Sequence, residues 1–139
     1  MGDLYETTAR AILTMGPMVL CAGAWDESFC HLVGGHVDRG EHALEALRRE
    51  WYEEVGVPLA TVVKLTTLPN VWKRQGDTVH ETLHLYAATT QQPVVGALPS
   101  SPEARTVLRW ASVDDLVQGR VRLQPPALLP WVVRVAARW

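Results

Sequence analysis

The stretch from Gly35 to Val57 constrains this chain more than any other, because it joins a glycine-led loop to a helix that carries acids beside its apolar stripe. Leu44, Leu47, Trp51 and Val55 recur at spacings of three and four, which predicts a helix over Glu41 to Val55 with one face turned to a core. Gly56 follows as its C-terminal cap. At about 100° per residue, Glu50, Glu53 and Glu54 fall on one flank of that helix, next to the stripe rather than opposite it. Ala43 and Ala46 share the flank and are expected to leave room for something to approach the carboxylates. Like charges three and four residues apart cost an isolated helix about 0.2–0.5 kcal/mol per pair, and a bound cation would reverse that sign.

Oxygen ligands suit hard divalent cations, and Mg²⁺ in particular is held by a few carboxylates together with water and substrate phosphate oxygens. Such a cation can neutralise and orient a pyrophosphate and lower the pKa of an attacking water, leaving one glutamate to act as base. Arg49 lies on a different flank, where it can pair with Glu45 or Glu41 and hold the helix against the preceding loop, an organiser rather than a phosphate binder. Taken alone, an acidic helix flank is more often a solvated one. The spacing of the whole stretch overturns that reading: Gly35, five residues, Glu41, seven residues, Arg49-Glu50-Trp51, one residue, Glu53-Glu54, one residue, Gly56-Val57.

This pattern resembles the Nudix box in full, and its seven fixed identities would meet by accident in a chain this short about once in a million. Leu32-Val33-Gly34-Gly35-His36-Val37 is similar to the family's strand-to-loop lead-in, with Val33 where many members carry proline. Trp51 fills a slot that is usually aliphatic, a change expected to alter packing more than catalysis. The resemblance implies an α/β (α+β) fold, a Nudix-type α/β/α sandwich with a mixed central sheet. It implies a hydrolase that cleaves a pyrophosphate bond in a nucleoside diphosphate linked to another group: a nucleoside triphosphate, a nucleotide sugar or similar. Mg²⁺ is the implied cofactor, with Mn²⁺ as a substitute. The family's metal roles carry over to the Gly35 carbonyl, Glu50, Glu53 and Glu54, the base to Glu53 or Glu50, and the anchoring of the Arg49 network to Glu41. The family places a further acid variably; Glu81 and Glu103 are the candidates, each equally readable as an ordinary acid.

The rest of the chain frames this stretch. Its 139 residues, 47% hydrophobic, suit one globular domain over 1–139 that needs no disulfide. A net charge of −2 argues against a protein that blankets a nucleic-acid backbone, so RNA-end cleavage is disfavoured and a small nucleotide is the expected partner. A homodimer is left open. The opening residues lack a secretory signal and no run approaches 18 apolar residues, so no membrane partner and a cytoplasmic location are expected. Cys21 and Cys30, in neighbouring predicted strands, are expected as buried thiols.

Residues 5–15 and 17–24 read as a hairpin turning at Met15-Gly16-Pro17, Trp25 to Ser28 as a polar turn, and Phe29 to Val33 as a strand stopped by Gly34-Gly35. Ala60 to Val71 and Thr78 to Thr89 read as an antiparallel pair, and 91–103 as a loop. A strand at Val107 to Ala111 leads to Ser112, a cap for a helix from Val113 to about Gln118, and Pro130 to Trp139 can form a terminal helix. The five histidines lack zinc-ligand spacing. Trp72, with Arg74 nearby, could stack on a base and meet phosphate, or simply pack a hairpin end with solvated charges. Against the hydrolase stands a non-catalytic Nudix-fold nucleotide sensor or protein-interaction module, which would tolerate Glu53→Gln.

Overall fold

In a computed structural model that describes residues 1–24, 29–94 and 106–138, the alternating apolar runs become the strands of one mixed sheet and the helix-period runs cover it. The strands are β1 (Asp3–Ile12), β2 (Thr14–Met15), β3 (Met18–Ala24), β4 (Phe29–His36), β5 (Leu59–Arg74), β6 (Asp77–Thr90), β7 (Thr106–Ser112) and β8 (Arg122–Gln124). The helices are α1 (Ala43–Val55), α2 (Val113–Val117) and α3 (Leu129–Arg138). The sheet runs β2-β3-β4-β1-β6-β5, with β7 on β3 and β8 on β4. β1 lies parallel to β6, and β4 to β8, while the remaining pairs are antiparallel.

Alternation along β1 divides the core in two. Ala9 and Ala11 join Val33, Leu47 and Trp51 under α1, whereas Ile12 joins Leu83, Leu85, Val132 and Val135 under α3. Helices thus cover both faces of a central mixed sheet, the α/β/α sandwich expected from the sequence. Ser112 caps α2 as expected, its hydroxyl accepting from the Asp115 N–H at 3.2 Å. The long pair β5/β6 is antiparallel, and Pro69 is tolerated because β5 is the edge strand. Cys21 and Cys30 are buried free thiols. No helix among the described residues is long and apolar enough to cross a membrane.

Five expectations need correction. The hairpin survives only as Thr14 and Met15 paired with Val19 and Met18 around Gly16, while β1 pairs with β4 and β6 instead. β1 buries Ala9 and Ala11 on one face and Thr8 and Ile12 on the other, so a central place between two neighbours suits it better than a hairpin edge would. Gly34 and Gly35 do not end β4, which runs on to His36. A Cβ on Gly34 would lie 2.1 Å from the Ala9 carbonyl oxygen, so glycine is what lets β4 close on β1 there. α1 starts at Ala43 rather than Glu41, and Leu44 is 39% exposed: the buried stripe runs through Ala46, Leu47 and Trp51. Ala46 therefore brings the helix close to the sheet and does not open space beside the acids. The polar turn at 25–28 and most of the 91–103 loop, Glu103 included, lie outside the described residues.

Candidate active site

α1 is held over the end of β4 by backbone and charge together. Gly56, at φ +79°, closes the helix through its N–H on the Tyr52 carbonyl at 2.9 Å. On the acid flank, Glu54 accepts a hydrogen bond from the Gly34 N–H at 3.3 Å. Glu50 lies so close to Gly35 that a Cβ there would sit 2.5 Å from its carboxyl carbon. Arg49 ties this flank to the loop below: Nε and Nη2 donate to the two Glu41 oxygens, each at 2.9 Å, and Nη1 donates to Glu50 at 3.0 Å. Its Nη2 also donates to the His36 carbonyl at 3.1 Å and lies 3.4 Å from Asp38, while Nη1 lies 3.6 Å from Glu53. Of the two partners read from the sequence, Arg49 takes Glu41; Glu45 lies instead beside His42.

The electrostatics follow from these contacts. The Arg49 guanidinium, helped by the Asp38 N–H, holds the Glu41 carboxyl down at about 2, and Glu41 and Glu50 push Arg49 upward in return. Burial drives Glu54 up to about 7; Arg10 and the Gly34 N–H oppose this, while Glu50 and Glu53 add to it. Three carboxylates on one flank, one of them strained toward its neutral form, are a donor set that suits a hard divalent cation, and Glu50 nestled against Gly35 puts a carboxylate beside backbone. Among the described residues no three acidic, histidine or cysteine side chains already converge as a cation cage. Glu50 is engaged by Arg49 and Glu54 by Gly34.

Next to this cluster lies a cavity of about 500 Å³, within the range of small-molecule sites. Trp72, Arg74, Asn70 and Glu81 line one side, His31, Gln124 and Pro125 another, with Arg10 and His36 also in the lining. Arg74 stacks on the Trp72 ring at 4.6 Å and donates to Glu6 at 3.0 Å. Glu6 also meets His36 at 3.2 Å. Glu81 accepts from the Thr8 hydroxyl at 2.6 Å and from the Asn70 amide at 3.0 Å, which leaves it a partner-satisfied acid in the cavity wall.

The sequence-derived candidates thus fall into two adjoining groups. Gly35, Glu41, Arg49, Glu50, Glu53 and Glu54 come together on α1 and β4, whereas Glu81, Trp72 and Arg74 share the cavity. Missed by sequence reasoning were Glu6, Thr8, Arg10, Asn70 and Gln124. One signal was available: Arg10 interrupts the apolar run Ala9 to Ile12 with a charge. The others carry no local signal, because β1, β5, β6 and β8 bring them together only through the sheet order.

The NUDIX domain family model matches residues 5–132. Isopentenyl-diphosphate Delta-isomerase of Pectobacterium atrosepticum is 26% identical over 117 residues, 84% of this chain and 60% of that protein. The chain therefore spans about three fifths of that curated relative. Among solved structures, a MutT protein from Bacillus halodurans superposes with a TM-score of 0.70 at 20% identity, covering 94% of this chain and 82% of that one. A MutT NUDIX hydrolase from Burkholderia pseudomallei gives 0.65 at 24% identity, covering 95% of each chain. These two likenesses speak for the fold.

Proposed function

We propose, from the premise that this chain belongs to the Nudix family, that it is a divalent-cation-dependent pyrophosphohydrolase acting on a nucleoside diphosphate linked to another group. The observation that carries this reading is the set of Glu50, Glu53 and Glu54 on one flank of α1, with Glu50 lodged against Gly35 and Arg49 fixing the helix to Glu41. Glu50, Glu53, Glu54 and the Gly35 carbonyl would hold the cation, Mg²⁺ or Mn²⁺. When bound, that ion supplies charge neutralisation of the phosphates and a more acidic water. Glu53, 58% exposed at its side chain, is the acid of the trio least engaged by protein and so is freest to take a proton from water. Glu41 and Arg49 are positioning residues: their paired hydrogen bonds keep the acid flank at a fixed distance from the loop at His36. Glu81 stands as a further acid of the cavity wall. The organic part of the substrate would occupy the cavity, with the stacked Trp72 and Arg74 offering a planar face to a base.

The test is turnover. Purified protein with Mg²⁺ and a panel of nucleoside triphosphates, nucleotide sugars, dinucleoside polyphosphates and isopentenyl diphosphate is followed by chromatography of phosphorylated products, with Glu53→Gln as control. Mg²⁺-dependent cleavage lost in the control supports the hydrolase. Isomerisation without phosphate release would point to the chemistry named for the Pectobacterium relative. Nucleotide binding without turnover, preserved in Glu53→Gln, would favour the sensor reading, which the unconverged acids leave standing.

A further inference from the structure

Three guanidinium groups stand at this site, and they are not equivalent. Arg49 spends its donors on Glu41, Glu50 and the His36 carbonyl. Arg74 is paired with Glu6 and stacked on Trp72. Arg10 instead makes one hydrogen bond, from Nη1 to the Leu32 carbonyl at 2.8 Å, and has no ion pair among the described residues. A guanidinium has five N–H donors, so most of those on Arg10 have no protein partner.

These spare donors are not sealed in the core. Among the described residues, the buried polar side-chain atoms without partners are Trp51 Nε1, Arg109 Nε and Trp110 Nε1, and no nitrogen of Arg10 is among them. Arg10 lines the cavity, and none of its nitrogens is both fully buried and unpaired. Burial pulls the Arg10 pKa below the ordinary arginine range, and the charges of Glu81, Glu54 and Glu50 oppose that pull without forming a close pair. Those carboxylates balance its charge at a distance, but with one hydrogen bond to the Leu32 carbonyl its remaining donors are left without partners. An anion with several acceptor oxygens would satisfy them, and a phosphate matches the planar fork of arginine with two parallel hydrogen bonds.

We infer that Arg10 is a phosphate-binding residue, holding the phosphate that remains attached to the group seated in the cavity. The inference rests on the hydrolase reading only for the identity of that group; the binding itself needs no turnover. It makes Arg10 a contact to the nucleotide product, at the border between the acid flank and the cavity.

The experiment is an NMR titration of the metal-free protein with AMP, CMP, GMP and UMP, and separately with inorganic phosphate, following the arginine Nε–H resonances. Arg10→Lys assigns the Arg10 signal in the wild type, so the measurement does not require a drastic variant to fold. Arg120→Gln, at an exposed pair with Asp114 and Asp115, serves as a surface control. We expect the Arg10 resonance to move on addition of at least one monophosphate. Arg10→Gln should weaken that affinity at least tenfold, with Arg10→Lys retaining part of it and Arg120→Gln all of it. A response to inorganic phosphate but to no nucleoside monophosphate overturns the inference, because the phosphate held there would then not belong to a group seated in the cavity. An Arg10 signal that stays fixed with every monophosphate and with phosphate overturns the inference, as does a folded Arg10→Gln that binds as the wild type does. Turnover assayed separately keeps the two readings apart: phosphate binding through Arg10 without hydrolysis sinks the hydrolase alone, and hydrolysis with an unresponsive Arg10 sinks the Arg10 role alone.

Discussion

Glu54 is where sequence position and physical environment part company. Its place on the acid flank is legible from helix spacing, but its protonation is set by burial against Gly34, which only the folded chain reveals. A carboxyl raised from 4.5 to about 7 in the folded state favours the fold below pH 4.5, and that contribution is lost as pH rises through about 7. At about 1.4 kcal/mol per pH unit the loss across this window comes to about 3 kcal/mol as an upper limit. Metal-free protein should therefore lose stability between pH 5 and 8 in denaturant titrations, and Glu54→Gln should flatten the slope; an equal slope in both would reject the assignment. The two adjacent glycines separate by the same kind of argument. Gly34 sits at φ +147° with backbone where a Cβ would go, so Gly34→Ala should cost about 3 kcal/mol. The nearest atoms to a Cβ at Gly35→Ala all belong to the movable end of Glu50, so that variant should melt within a few degrees of wild type while losing most turnover. Comparable melting temperatures for both would show that Gly34 tolerates more than its contacts imply.

Within single elements, period was readable and phase was not. The three-and-four spacing located α1 to within two residues at its start, yet assigned Leu44 to the core when Ala46 holds that place. A stripe read from large residues overlooks alanine, whose small side chain lets the helix come down onto β4 and β1. Trp51, wholly buried beneath α1, should cost about 3–5 kcal/mol as Trp51→Ala, whereas Leu44→Ala should stay within about 0.5 kcal/mol in urea unfolding. Equal costs would return Leu44 to the core. β1 teaches a related lesson. Its apolar run was plain, but partner choice depends on which strands compete for it, and β4 and β6 lie 17 or more residues away, beyond any local signal.

At the scale of the molecule, the site is a joint between two halves that the sequence describes unequally. The acid flank was legible because its residues share one helix and one loop, whereas the cavity gathers residues from β1, β4, β5, β6 and β8 that no spacing connects. The proposed cation would bind across the joint between α1 and the glycines of β4, which makes its affinity part of the folding free energy. A ligand at about a hundred times its dissociation constant stabilises the fold by about 2.7 kcal/mol. For a chain of this size that is roughly 10 °C of melting temperature. Mg²⁺ or Mn²⁺ should therefore raise the wild-type Tm by roughly that amount at neutral pH, and Glu50→Gln and Glu54→Gln should each lose more than half of the gain. Arg120→Gln, far from the joint in its contacts, should keep it all. If neither cation moves the Tm of folded wild type, the acid flank is held by Arg49 and Gly34 alone, and the unconverged carboxylates are its working state rather than one awaiting a metal.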